Sequence, residues 1–182
     1  MKNFLCALLF SALVLTSCAS EPVDESTDLS SGLSTGGETS ASVPEEFAGF
    51  ALTVGDARLL TGETADVPTL LGTPKETLQA PSCIHEGNDT VYYYDGLEVT
   101  TSPSAAGDFI LTIQITSEDI TTEEGIRFGS SLDEVKAACG AYDEKLSSPD
   151  FGRYVFVRAG TSLTVLTDGD NTVNGITYTA EQ

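Results

Sequence analysis

The sequence predicts an α+β domain over residues 47–182, made of two tandem units in which a helix packs on one face of an antiparallel sheet. Three observations predict it. The chain matches itself at a fixed offset. It contains a strong two-residue hairpin signal. It also contains an amphipathic helix pattern closed by glycine.

The offset is 68 positions: Leu60 falls on Phe128, Asp66 on Glu134, Val67 on Val135, Leu71 on Cys139 and Gly72 on Gly140. Downstream the match continues at a shorter offset. Tyr92-Tyr93-Tyr94 falls near Tyr154-Val155-Phe156, Leu97-Glu98-Val99 near Leu163-Thr164-Val165, and Ile110 near Ile176. The units run over 47–121 and 122–182, each expected to hold a short strand, a helix and three antiparallel strands.

In the first unit Thr61 or Thr64 is the expected cap, and Pro68 sits in the first turn, where its missing N–H costs nothing. Gly72-Thr73-Pro74 is the stop. In the second, Ser130 or Ser131 caps, and Asp133 and Glu134 occupy the positive first turn. Leu132, Val135 and Cys139 share a face, and Gly140 ends the helix. A second short helix after each stop, over 75–79 and 143–146, is weakly marked.

The strands are clearer. Tyr92-Tyr93-Tyr94, then Asp95-Gly96, then Leu97-Glu98-Val99 pairs Tyr94 with Leu97, Tyr93 with Glu98 and Tyr92 with Val99. Tyr92, Tyr94, Leu97 and Val99 then face the helix, while Val91, Tyr93, Glu98 and Thr100 take the other side. Phe109, Leu111, Ile113 and Ile115 alternate with Ile110, Thr112 and Gln114. Residues 153–158, 163–167 and 173–179 repeat the pattern in the second unit.

Ahead of this domain stands an export signal. Lys2 precedes a thirteen-residue apolar run over 4–16, interrupted only by Cys6 and Ser11. A membrane-spanning helix needs about 20 apolar residues, so the run has the length of a signal-peptide hydrophobic region. Leu15-Thr16-Ser17-Cys18 resembles the lipobox of bacterial lipoproteins. That resemblance implies a diacylglyceryl group on the Cys18 thiol and cleavage before it, after which two acyl chains anchor the protein stably at a membrane. The alternative is plain secretion with an incidental cysteine. Residues 19–46 hold seven acids, no Lys or Arg and few large apolar side chains, the composition of an extended tether.

The chain of 182 residues carries 28 acidic against 8 basic side chains, a formal charge of −20. Such a balance excludes a nucleic-acid binder and a basic lipid-coating surface. The domain is acidic in its own right. From residue 47 onward all seven remaining bases face 21 acids, giving −14. Two cysteines remain there, Cys83 and Cys139, and two outcomes stay open: a disulfide closing a long loop, worth about 4 kcal/mol, or free thiols.

Helix-plus-sheet units in tandem resemble the β-lactamase inhibitor protein architecture and its relatives among small envelope lipoproteins, such as the outer-membrane assembly component of the SmpA/OmlA type. Two local runs are similar to those of lipoproteins in Gram-positive anaerobes. They are Ala80-Pro81-Ser82-Cys83 leading to Tyr92-Tyr93-Tyr94-Asp95-Gly96, and Thr122-Glu123-Glu124-Gly125-Ile126 leading to Gly129. The resemblance covers about residues 50–182. It implies protein binding through the open face of the sheet and carries over no inhibitory residue.

No catalytic constellation stands out. His85, the only histidine, lies two residues from Cys83 in a predicted loop. The acid pairs Glu118/Asp119, Glu123/Glu124 and Asp133/Glu134 are expected to be solvated. Asp168-Gly169-Asp170-Asn171 offers Asp168, Asp170 and Asn171 as oxygen ligands for Ca²⁺, but it reads better as a turn between strands. No cofactor motif is present. The leading expectation is a non-catalytic, membrane-anchored envelope lipoprotein. It would bind an envelope protein through Tyr93, Glu98, Thr100, Thr112 and Gln114. The alternative is an acidic protein that captures a small ligand or a cation such as Ca²⁺.

Overall fold

The computed structural model describes residues 49–181; the signal, Cys18 and the tether lie outside the described residues. In chain order the elements are β1 (Ala51–Val54), β2 (Ala57–Leu60), α1 (Val67–Leu71), β3 (Glu76–Pro81), β4 (Asn88–Tyr94), β5 (Leu97–Ser102) and β6 (Phe109–Ile115). They are followed by α2 (Leu132–Cys139), a 3-10 turn over Pro149–Phe151, β7 (Arg153–Arg158), β8 (Thr161–Thr167) and β9 (Val173–Ala180). Strands β1 and β2 form a hairpin. The other seven form one antiparallel sheet in the order β3-β4-β5-β6-β9-β8-β7. The fold is mixed α and β, with a dominant sheet and few helices.

The β4–β5 hairpin has the register expected from Asp95-Gly96, with Tyr92 opposite Val99, Tyr93 opposite Glu98 and Tyr94 opposite Leu97. The sheet's centre is the β6–β9 pair, where Ile113 faces Tyr178 and Ile115 faces Ile176. Reading partners across all the ladders gives two apolar rows on the covered face. One runs Tyr94, Leu97, Ile115, Ile176, Val165, Tyr154; the next runs Tyr92, Val99, Ile113, Tyr178, Leu163, Phe156. Most of these side chains are fully buried. The period-2 alternation of the strands produces this sidedness.

Two bulges adjust the pattern. Thr100 pairs with Thr112 but Thr101 with Ile110, leaving Leu111 as the extra residue. Both Ile110 and Ile113 therefore point into the core, although they are three apart. The alternation that grouped Phe109 and Leu111 with Ile113 is corrected at this point. Likewise Leu166 pairs with Gly175 but Thr167 with Val173, leaving Asn174 over.

Helix α2 begins at Ser131 with a full capping box. The Ser131 hydroxyl accepts from the Glu134 N–H, and the Glu134 carboxylate accepts from the Ser131 N–H at 2.7 Å. Hydrogen bonds donated to it by the Ser131 N–H and, at 3.0 Å, the Ser131 hydroxyl hold the Glu134 carboxyl below its usual pKa. Gly140 ends the helix at φ 86°, a conformation only glycine adopts without strain. Helix α1 is capped by Asp66 rather than by Thr61 or Thr64, because its carboxylate accepts from both the N–H and the hydroxyl of Thr69. Pro68 lies in its first turn.

Four further expectations are revised. Residues 75–79 lie along an extended edge strand, β3, because the Lys75 N–H bonds the Tyr93 carbonyl at 2.8 Å. Residues 143–146 form a turn, with Asp143 N–H on the Val155 carbonyl and the Asp143 carboxylate accepting from Lys145 and Leu146. Among the described residues no strand lies between β6 and α2; Ser131 makes only an isolated bridge to Thr172. Nor do the helices cover the sheet alone. Phe50, Leu52 and Leu59 of the β1–β2 hairpin and Ile126 of the loop before α2 are fully buried in the same core.

Neighbouring residues on β6 test this sidedness. Ile113 is fully buried and Thr112 is half-exposed on the other face. Ile113→Ala is expected to lose about 2–5 kcal/mol in denaturant unfolding. Thr112→Ala is expected to stay within about 0.5 kcal/mol of the parent.

Candidate functional site

The other face of the sheet carries two rows of a different kind. The ladders align Glu76, Tyr93, Glu98, Gln114, Thr177, Thr164 and Val155 in one row. The adjacent row is Leu78, Val91, Thr100, Thr112, Thr179, Ser162 and Val157. All five residues expected on a binding face therefore stand side by side: Tyr93, Glu98 and Gln114 in one row, Thr100 and Thr112 in the other. Gln114 is exposed and the other four are half-exposed.

The face is polar through its middle and apolar at its ends. Leu78 is 52% exposed and Val157 43% exposed. At the β7 edge the 143–148 segment folds over the sheet, where Arg153 donates to the Leu146 carbonyl and Ser147 Oγ accepts from the Val155 N–H at 2.9 Å. A shallow groove of about 450 Å³ lies there, bounded by Leu146, Arg153, Thr164 and Thr179.

The paired acids behave differently from the expectation that all are solvated. Glu123 accepts from Thr53 Oγ1 at 2.7 Å and from Arg58 Nε at 3.0 Å, tying the loop before α2 to the β1–β2 hairpin. Glu124 turns inward. Its Oε1 lies 3.4 Å from Arg158 Nη1, and its Oε2 is buried with no hydrogen-bond partner. Arg158 in turn lies flat over Phe50, its guanidinium carbon 4.1 Å from the ring centre. Burial raises the Glu124 carboxyl above its ordinary value of 4.5, outweighing its own backbone hydrogen bond and the arginine. Its neighbours are affected as well. Burial, with the Glu124 charge second, pushes the Cys139 thiol up to about 12 and raises the fully buried Tyr178 hydroxyl, which also lacks a partner. A thiol held so high is protonated at neutral pH and is a poor nucleophile.

Cys83 and Cys139 are both free, Cys83 exposed in the β3–β4 loop and Cys139 half-buried in the last turn of α2. The structure thus has the open pair rather than the bridge. His85 shares the loop with Cys83, and its ring packs edge-on against Phe109 at 5.6 Å. The loop closes on itself through Ser82, whose hydroxyl accepts from the N–H groups of Ile84 and His85. In the 168–171 segment Asp168 Oδ1 accepts from Asp170 N–H at 3.0 Å and Thr172 N–H at 2.9 Å, and Asn171 adopts φ 58°. This is a self-capped turn. Among the described residues no group of three or more His, Cys, Asp or Glu side chains is placed to hold a metal ion.

Compared with protein-family models, with curated proteins and with solved structures, the chain matches none. Among the described residues no helix is long and apolar enough to cross a membrane.

Glu124 provides a pH test. Its folded-state pKa lies above that of the unfolded chain, so its contribution is most favourable below about pH 4.5 and is lost as pH rises through the folded value. Glu124→Gln removes that loss. The difference in melting temperature, variant minus parent, is expected to be larger at pH 7.5 than at pH 4, followed by thermal unfolding at both.

Proposed function

We propose that this protein is a non-catalytic lipoprotein of the cell envelope, exported, lipid-anchored at Cys18, and binding another envelope protein through the open face of its sheet. The observation that carries the reading is the pair of rows centred on Gln114 and Thr112. A seven-stranded sheet has one face buried under a hairpin, two short helices and a loop, and the other left as a broad surface except at the β7 edge, where Val155 and Ser162 are covered. Tyr93 supplies an aromatic anchor with a polar tip, the residue type over-represented where interfaces hold their binding energy.

Two features support the tandem-unit reading. Each unit has the same bulge at the same place in its last hairpin, Leu111 opposite the Thr100–Thr101 step and Asn174 opposite the Leu166–Thr167 step. In each, the third residue after the helix-ending glycine bonds a carbonyl of the first strand of the unit's hairpin, Lys75 to Tyr93 of β4 and Asp143 to Val155 of β7. Matching the bulges places Ile113 against Ile176, three residues along from the pairing of Ile110 with Ile176. The likeness to the β-lactamase inhibitor protein architecture rests on this arrangement and on its single open face.

Anchoring is tested by growing cells with radiolabelled palmitate. The parent is expected to be labelled and to sediment with membranes, and Cys18→Ala to lose both. A labelled Cys18→Ala protein overturns the anchor. The face is tested by capture from detergent-solubilised envelope, comparing the full-length parent with Thr112→Arg/Gln114→Arg. A protein held by the parent and lost from the double variant is the expected result. Equal capture by both places the interface elsewhere.

A further inference from the structure

We propose that the open face receives a lysine or arginine from an extended segment of its protein partner, with the cation seated over Tyr93 between Glu76 and Glu98. This inference rests on the binding-module reading above and names the chemistry of the partner. The ladders place Glu76, Tyr93 and Glu98 on three neighbouring strands, β3, β4 and β5, in one row. With strands about 4.8 Å apart, the two carboxylates rise from positions about 10 Å apart, with the phenol ring between them. A cation over an aromatic ring is attracted within about 6 Å of its centre, and flanking carboxylates add to that attraction.

The three side chains are unengaged. Among the described residues neither Glu76 nor Glu98 is in a salt bridge, and the Tyr93 hydroxyl has no hydrogen bond. The nearest base in sequence, Lys75, is paired with Asp95 at the hairpin turn. Arg153, the base on this face, stands on β7 at the far edge of the sheet. A metal ion is a poor occupant, because hard cations draw oxygen ligands to about 2.5 Å and Tyr93 stands between the two acids.

The adjacent row indicates that the ligand is a polypeptide rather than a free amine. Leu78 and Val91 lie two residues along β3 and β4 from Glu76 and Tyr93, and Leu78 is 52% exposed. Two residues along a strand is about 6.7 Å, which is also the distance between alternate side chains of an extended peptide. A segment with a basic residue at one position and an aliphatic one two further on therefore sets both onto the face together.

The test must separate this seat from general attraction to an acidic domain, which falls steeply with salt. Detergent-solubilised full-length protein is titrated into a fluorescently labelled, end-blocked peptide containing three lysines, each two residues before a leucine, and binding is followed by anisotropy. Tyr93→Phe, which keeps the ring, is expected to bind like the parent. Tyr93→Leu is expected to lose about three- to fivefold, and Glu76→Gln/Glu98→Gln about fivefold or more at low salt. Asp56→Asn/Asp133→Asn removes the same charge from the β1–β2 turn and α2 and is expected to leave affinity unchanged. Equal losses in the two neutralised pairs, or undiminished binding by Tyr93→Leu, overturns the seat. If the seat fails while Thr112→Arg/Gln114→Arg still abolishes capture, the binding face stands without it. If capture survives that substitution, the face reading fails and takes the seat with it.

Discussion

The antiparallel pairing of β6 with β9 is the constraint on which the rest of the structure depends. These strands are more than fifty residues apart in sequence, and closing so long a loop is repaid only by contacts that bury a great deal. Ile113 against Tyr178 and Ile115 against Ile176 provide that burial, all four lying at 0–1% exposure. Without this seam the chain would have two small sheets, each too narrow to cover a core. With it, two apolar rows run unbroken from β4 to β7, and the opposite rows are aligned as a consequence. The open face and the core are therefore set by the same register, and a slip of one residue would exchange them.

The seven basic residues of an otherwise acidic domain are distributed with effect. Arg58 and Arg158 each take one acid of the Glu123–Glu124 pair and hold the loop before α2 against the hairpin and β7. The two acids differ in cost. Glu123 is partly solvated, and its arginine pair behaves as a surface ion pair. Glu124 is buried with one oxygen unmatched, next to a buried tyrosine and a protonated thiol. Desolvation there exceeds what a 3.4 Å contact with a half-exposed arginine returns.

Much of this was legible in the sequence, for identifiable reasons. The Asp95-Gly96 turn fixes a register, and that register alone assigns Tyr93, Glu98 and Thr100 to the face opposite the core. Gly140, Ser131 and Pro68 are local signals with local consequences, and each acts where expected. What failed was non-local. A bulge cannot be read from alternation, which groups Leu111 with Ile113. Edge-strand β3 reads weakly as helix because its extended form depends on a bond from Lys75 to Tyr93, eighteen residues on. The inward turn of Glu124 depends on Arg158 and on Phe50, neither near it in the chain. The row from Glu76 to Thr164 exists only once five strand pairings are set.

A sheet that binds an envelope protein, as proposed, has its open face occupied in the cell envelope. Hydroxyl-radical footprinting with residue-level mass spectrometry tests it most directly, on the protein in intact envelope and on the same protein purified in detergent. Phe151, 87% exposed in the 3-10 turn before β7, serves as the internal standard. Tyr93 and Leu78 are predicted to be oxidised in the purified protein and protected in the envelope, while Phe151 is oxidised in both. Equal oxidation of Tyr93 and Leu78 in the two preparations would contradict the claim.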